Sequence, residues 1–105
     1  MVAARKGANM FARTSTWSGS PEALQKWDDN AVNRVLDFVK GLPGNAGAVF
    51  LVDRDTGTAL TLTLWDSVEA AETTDRFADQ SRAETVAATG TELIASGRYE
   101  VVARF

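Results

Sequence analysis

From Thr58 to Trp65 the chain alternates with period two. Leu60, Leu62 and Leu64 point one way and Thr61, Thr63 and Trp65 the other, as on a strand. Asp66 then offers a cap and Glu69, three residues on, its partner in a capping box, so a helix is predicted to follow at once. Upstream, Met10 to Trp17 alternates as a strand that Gly19 and Ser20 break. Ser20-Pro21 opens a helix with a capping hydroxyl and a proline at the first helical position. That helix is expected to run to about Lys40 and stop at Gly41, with Pro43 and Gly44 behind it. Ala46 to Asp53 reads as the second strand, and Arg54 to Gly57 turns it into the third as an antiparallel hairpin, Gly57 supplying a positive φ. A second helical region covers about Ser67 to Thr89, with a break near Gln80-Ser81 and an end at Gly90; Arg98 to Phe105 alternates as a final strand. The order β-α-β-β-α-β predicts an α+β, ferredoxin-like fold, a four-stranded antiparallel sheet with both helices on one face.

The strand faces change the picture of the assembly. Ala48, Phe50 and Val52 lie on one side of the second strand and Val49 and Leu51 on the other, and the third strand has no charged side either. Two helices cover one face of such a sheet. A second copy of the chain is the simplest cover for the other, which predicts a homodimer with sheet facing sheet. The alternative cover is the N-terminal stretch, residues 1–9, which reads as a flexible arm ahead of one domain over residues 10–105.

Composition removes much chemistry. With no cysteine and no histidine, the chain has no disulfide, no thiolate nucleophile or ligand, and neither the commonest metal ligand nor the usual general base. No metal site is expected, and Glu69, Glu72, Asp75 and Asp79 read as a solvated helix face. A net charge of −3 argues against a nucleic-acid partner. No apolar run approaches eighteen residues, and the two cations near the start precede no apolar core, so neither a membrane span nor a secretory signal is expected, and a cytoplasmic location is.

The first predicted helix places Leu24, Trp27, Ala31, Val35, Phe38 and Val39 on one broad face, with Asp28 near its middle. A carboxylate aimed at the core must find hydrogen-bond partners, ionise less readily, or line a wet pocket.

The Leu42-Pro43-Gly44 step and the Leu64-Trp65-Asp66-Ser67-Val68-Glu69-Ala70 junction, with the strand order, resemble the dimeric α/β-barrel superfamily. More narrowly, they resemble its antibiotic-biosynthesis-monooxygenase-like branch, over residues 10–105. The resemblance implies that two ferredoxin-like units pair into a dimeric α/β barrel. Some members of that branch oxygenate polycyclic phenols with molecular oxygen and no metal or organic cofactor; others bind and degrade haem. The haem-degrading members use an asparagine on the first strand, a tryptophan ending the third and a histidine on the second helix. Trp65 matches the tryptophan, but the asparagine position falls on Ala12 and the chain has no histidine, so haem degradation is not expected and no cofactor is assigned.

By the same analogy Trp65, Thr63 and Thr61 look toward the helices, joined by Thr14 and Thr16 of the first strand. With Trp27 and Asp28 they would line a pocket suited to a hydroxylated aromatic ligand. Tyr99, Arg13 and Arg76 are residue types the cofactor-free oxygenases use, without a position-by-position match. The resemblance gives Trp65 as a candidate catalytic group, the helix face adds Asp28, and Tyr99 joins them as the chain's one phenol, Asp28 or Tyr99 managing protons. Thr14, Thr16, Trp27, Thr61 and Thr63 are the candidate ligand contacts. Each has a structural alternative: Asp28 as a paired acid, Trp65 and Trp27 as core, Trp17 as edge or interface packing, Tyr99 as an interface hydrogen bond. The expected function is a small dimeric module binding an apolar or aromatic ligand between helices and sheet. The alternative is a cofactor-independent monooxygenase acting on a polycyclic phenol. An RNA-binding role is disfavoured, because the third strand lacks the basic and aromatic pattern on which bases stack.

Overall fold

The computed structural model describes residues 10–104; the expected arm and Phe105 lie outside the described residues. The elements are β1 (Phe11–Ser18), α1 (Pro21–Gln25), α2 (Asp29–Lys40), β2 (Asn45–Asp53), β3 (Thr58–Trp65), α3 (Val68–Thr73), α4 (Asp75–Thr89) and β4 (Glu92–Glu100). The strands form one antiparallel sheet in the order β2-β3-β1-β4, the ferredoxin-like order. No described helix is long and apolar enough to cross a membrane.

Each predicted helix is two. Ser20 Oγ accepts from Ala23 N at 3.1 Å and Pro21 sits at the start, as the sequence predicts. Five residues later Lys26 N and Trp27 N turn back to the carbonyls of Ala23 and Leu24, tightening the last turn into a 3₁₀ geometry. The backbone then opens at Asp28 (φ −90°, ψ 174°), whose carboxylate accepts from Ala31 N at 2.9 Å and starts α2. The helical phase resets there, so Asp28 does not continue the apolar face.

The second break falls at Thr74 rather than at Gln80-Ser81. Thr74 Oγ1 donates to the carbonyls of Ala70 and Ala71 at 2.8 and 3.1 Å, which ends α3 while the chain redirects into α4. The start of α3 also differs from expectation. Asp66 N is tied to Gly44 O at 2.9 Å, so Asp66 is held against the turn that follows α2, in the bend after β3. Ser67 therefore caps the helix, accepting from Ala70 N at 3.0 Å, in place of the Asp66–Glu69 box. Gly90 ends α4 in the left-handed conformation (φ 79°), as predicted.

The last strand begins at Glu92, six residues before the predicted Arg98, and ends at Glu100. Its pairing to β1 shifts register between Thr16 and Trp17, and Ala95, Ser96 and Gly97 carry little hydrophobic contrast, so alternation understates it. The core lies between sheet and helices in two clusters. Trp17, Leu24, Trp27 and Ala59 form one; Val39, Trp65 and Ala71 form the other. Trp17 is 3% exposed inside the first, not at an edge or interface, because it points to the helix side and meets Trp27 edge-on with centroids 5.4 Å apart.

Candidate functional site

Between the sheet and the helices α2 and α4 lies a cavity of about 560 Å³. Register decides which side chains form its floor. In an antiparallel pair, directly opposed residues share a face. Arg13 opposes Thr63, and Ser15 opposes Thr61, so these four join Trp17 and Trp65 on the floor. Thr14 and Thr16 oppose Leu62 and Leu60 and lie on the far face of the sheet, outside the cavity. The expectation that they complete the pocket is corrected: the residues of β1 that look toward the helices are the odd-numbered ones.

Val32, Val35 and Phe38 of α2 form one wall, and Phe77, Thr85 and Ala88 of α4 the other. Phe38 and Phe77 are 49% and 41% exposed and meet edge-to-face with centroids 6.2 Å apart, an aromatic rim linking the two helices. The indoles differ in how their N–H groups are used. Trp65 Nε1 donates to Thr63 Oγ1 at 2.9 Å and Trp17 Nε1 to Thr61 Oγ1 at 3.3 Å. Trp27 Nε1 is buried and has no partner among the described residues.

Arg13 is the charged group of the floor and is only 8% exposed. Its guanidinium carbon lies 5.1 Å from the Trp65 ring centroid, a cation–π contact. Nη2 donates to Ala71 O, to Thr74 Oγ1 at 3.3 Å and to Asp75 Oδ1 at 2.6 Å. The arginine thus closes the end of α3, where carbonyls lack intrahelical partners, and its charge meets Asp75 at the start of α4. Arg98 lies 3.8 Å from the other oxygen of Asp75 and 3.7 Å from Glu72. Arg13 also borders a smaller polar cleft of about 250 Å³ between α4 and β4, with Asp79, Arg82 and Arg98.

Of the candidates read from the sequence, Trp65, Trp27, Thr61 and Thr63 come together in the cavity. Asp28 does not: it is an exposed helix cap with its carboxylate engaged by Ala31 N. Tyr99 does not either. It is 61% exposed, opposes Ala12 on the far face of the sheet and lies across Gly97. Sequence reasoning missed Ser15, Phe50 and Phe77, and it left Arg13 without a position. The signal was present in Trp17: a large indole placed on the helix side fixes the parity of β1 and brings Arg13 and Ser15 with it. No group of three or more Asp or Glu side chains able to hold a metal occurs among the described residues.

No protein-family model and no curated protein matches the chain. Solved structures do. The cofactor-independent oxygenase SnoaB of Streptomyces nogalater superposes with a TM-score of 0.63 at 15% identity, over 90% of this chain and 94% of that one. A monooxygenase from the gene ActVA-Orf6 of Streptomyces coelicolor, in complex with the ligand nanaomycin D, gives 0.64 at 16% identity, over 94% and 90%. A conserved protein from Methanosarcina mazei Go1 gives 0.70 at 10% identity, over 90% and 94%. The chain therefore has the fold of the antibiotic-biosynthesis-monooxygenase-like proteins, as the resemblance implied.

Proposed function

We propose that the chain is a cytoplasmic homodimer whose cavity binds a small apolar or aromatic ligand. The observation that carries this reading is the cavity itself: about 560 Å³, floored by Trp65 and Trp17, walled by aliphatic side chains and rimmed by Phe38 and Phe77. The polar groups that interrupt the apolar surface include the Arg13 guanidinium and the hydroxyls of Ser15, Thr61, Thr63, Ser81, Thr85 and Thr89. Lys26, Arg34, Gln80, Arg82 and Glu84 are also in the lining, a mixture compatible with a small-molecule site. The dimer reading rests on the sheet face opposite the helices, where Val49 and Leu51 are 49% and 51% exposed.

A second reading, cofactor-independent oxygenation of a polycyclic phenol, is favoured by the guanidinium stacked on Trp65. A cation there stabilises a deprotonated phenol, and such a ligand supplies electrons to molecular oxygen itself. SnoaB, which shares the fold, is a cofactor-independent oxygenase. Neither Asp28 nor Tyr99 lines the cavity, so the proton-managing roles first assigned to them have no support in its lining.

Titrating the protein with anthrone and with 1,8-dihydroxyanthraquinone, while following tryptophan fluorescence and dissolved oxygen together, tests both readings. Saturable quenching that weakens in the Phe38→Ala, Phe77→Ala double variant supports the binding site. Oxygen consumption with anthrone adds catalysis; quenching without it leaves a binding module. An absence of quenching by any ligand overturns the reading.

A further inference from the structure

We propose that α4 is a lid. Its middle, from Phe77 to Ala88, opens to admit the cavity's ligand and closes over it, while the two ends of the helix stay moored. This rests on the reading of the cavity as a ligand site and adds the way into and out of it.

The two long helices differ in how they meet the core. Val39 of α2 belongs to one core cluster with Val35 packed against it, and Val32 packs against the other. Among the described residues, none of α4 belongs to or packs against either cluster. Of the side chains α4 contributes to the cavity, Phe77 is the one large apolar group, and the rest are small or polar. So α2 rests on the core, whereas α4 spans the cavity. What α4 shares with α2 is the edge-to-face contact of Phe77 with Phe38, both of them half-exposed.

The polar side chains along α4 bond within the helix and not across the cavity. Gln80 Nε2 donates to Glu84 Oε2 at 3.3 Å, and Arg82 pairs with Asp79 at 3.0 Å. Thr85 Oγ1 donates to Ser81 O at 2.9 Å and Thr89 Oγ1 to Thr85 O at 2.7 Å, back-bonds of the kind that weaken and bend a helix. Among the described residues no hydrogen bond or ion pair ties residues 77–88 to α2 or to the sheet. The ends are fixed by contrast. Asp75 is held by Arg13 at 2.6 Å, and Thr74 is buried against the last carbonyls of α3. At the other end the hydroxyls of Thr89 and Thr91, both buried, lie 2.7 Å apart. A helix pinned at both ends with few buried apolar contacts between them opens locally, well below the free energy of unfolding.

Hydrogen–deuterium exchange of the full chain, alone and with 1,8-dihydroxyanthraquinone, tests the lid. In the free protein the amides of residues 79–88 are expected to exchange about tenfold faster than those of residues 33–40 in α2. The probe at about ten times its dissociation constant should slow them roughly tenfold, because opening then waits on release. Ala83 is exposed and outside the cavity lining, so Ala83→Gly weakens α4 without touching the site. That variant should speed exchange in α4 about fivefold, the scale of an alanine-to-glycine change inside a helix, and speed probe release in stopped-flow fluorescence to match. Equal exchange of α2 and α4 in the free protein overturns the lid and leaves the ligand site standing. Saturable binding that leaves α4 exchange unslowed does the same, as does an Ala83→Gly variant that exchanges faster but releases the probe no faster. No quenching by the probe overturns both the lid and the site.

Discussion

Trp65 is 1% exposed, and its Nε1 has Thr63 Oγ1 as its acceptor at 2.9 Å. Removing that oxygen while keeping the shape isolates the hydrogen bond. Thr63→Val is expected to destabilise the fold by about 1–3 kcal/mol, the cost of leaving a buried donor unmet, and Thr63→Ser by much less; urea denaturation of the two measures the difference. A second residue sets a pH response. Asp53 accepts from Asp55 N at 3.1 Å and Thr56 N at 3.3 Å across the hairpin turn. The hydrogen bonds from Thr56 are the largest cause of a carboxyl pKa held below its ordinary 3.8. A carboxyl depressed by folding stabilises the native state above its unfolded pKa, and that contribution drains away as pH falls below 3.8 through the lower folded value. Asp53→Asn should flatten this part of the stability profile, read by thermal melts from neutral to acid pH. Single residues were also where the sequence was hardest to read. Asp28 sits on the apolar stripe of an unbroken helix, yet the Lys26–Trp27 turn makes it a cap, and no periodicity reports a reset of phase. Asp28→Asn should therefore leave ligand binding and stability nearly unchanged, while Asp28→Ala costs about 1 kcal/mol, as for other helix caps.

At the scale of elements, the closure of α2 onto β2 and α3 is fixed by one close approach. Gly44 has φ 80°, and a Cβ there would overlap Ala70 Cβ and lie 2.9 Å from Asp66 Oδ1. Gly44→Ala is expected to cost about 3 kcal/mol, combining the left-handed backbone with overpacking, and to show as a lowered urea midpoint. At the same junction Asp66 N donates to Gly44 O, and the helix cap falls on Ser67. Ser67→Ala should cost about 1 kcal/mol while Asp66→Ala and Glu69→Ala each cost less, the reverse of what a capping box centred on Asp66 requires. Strands β1, β2 and β3, the hairpin at Gly57 and the end of α4 at Gly90 were legible because strict alternation and turn glycines are local signals. The break at Thr74 was not. It depends on a hydroxyl and an arginine from β1 competing for the carbonyls of α3, a tertiary event. The start of β4 was hidden by its register shift against β1.

For the whole molecule, the face of the sheet away from the helices decides the assembly. Leu60, Leu62 and Leu64 lie there opposite Thr16, Thr14 and Ala12, with Leu51 and Val49 beside them on β2 and Tyr99 on β4. The sequence predicted this face from the absence of charge on either side of two strands, and the register assembles it into one surface. Thr14, Thr16 and Tyr99, placed by expectation at the ligand, belong to this surface instead. An apolar sheet face of this kind is buried in a stable protein, and a second copy presents an identical one with matching chemistry. Leu51 is 51% exposed within one chain, so replacing it disturbs the fold little and an interface greatly. Equilibrium sedimentation of the unmodified protein at micromolar concentration is expected to give twice the mass of one chain, and of Leu51→Lys the mass of one. The cavity lies on the opposite side of the sheet from this surface, so a folded Leu51→Lys monomer should still bind the cavity's ligand. Loss of binding in step with loss of the dimer would show instead that pairing holds β1 and β3, and with them Arg13 and Trp65, in the geometry the site requires.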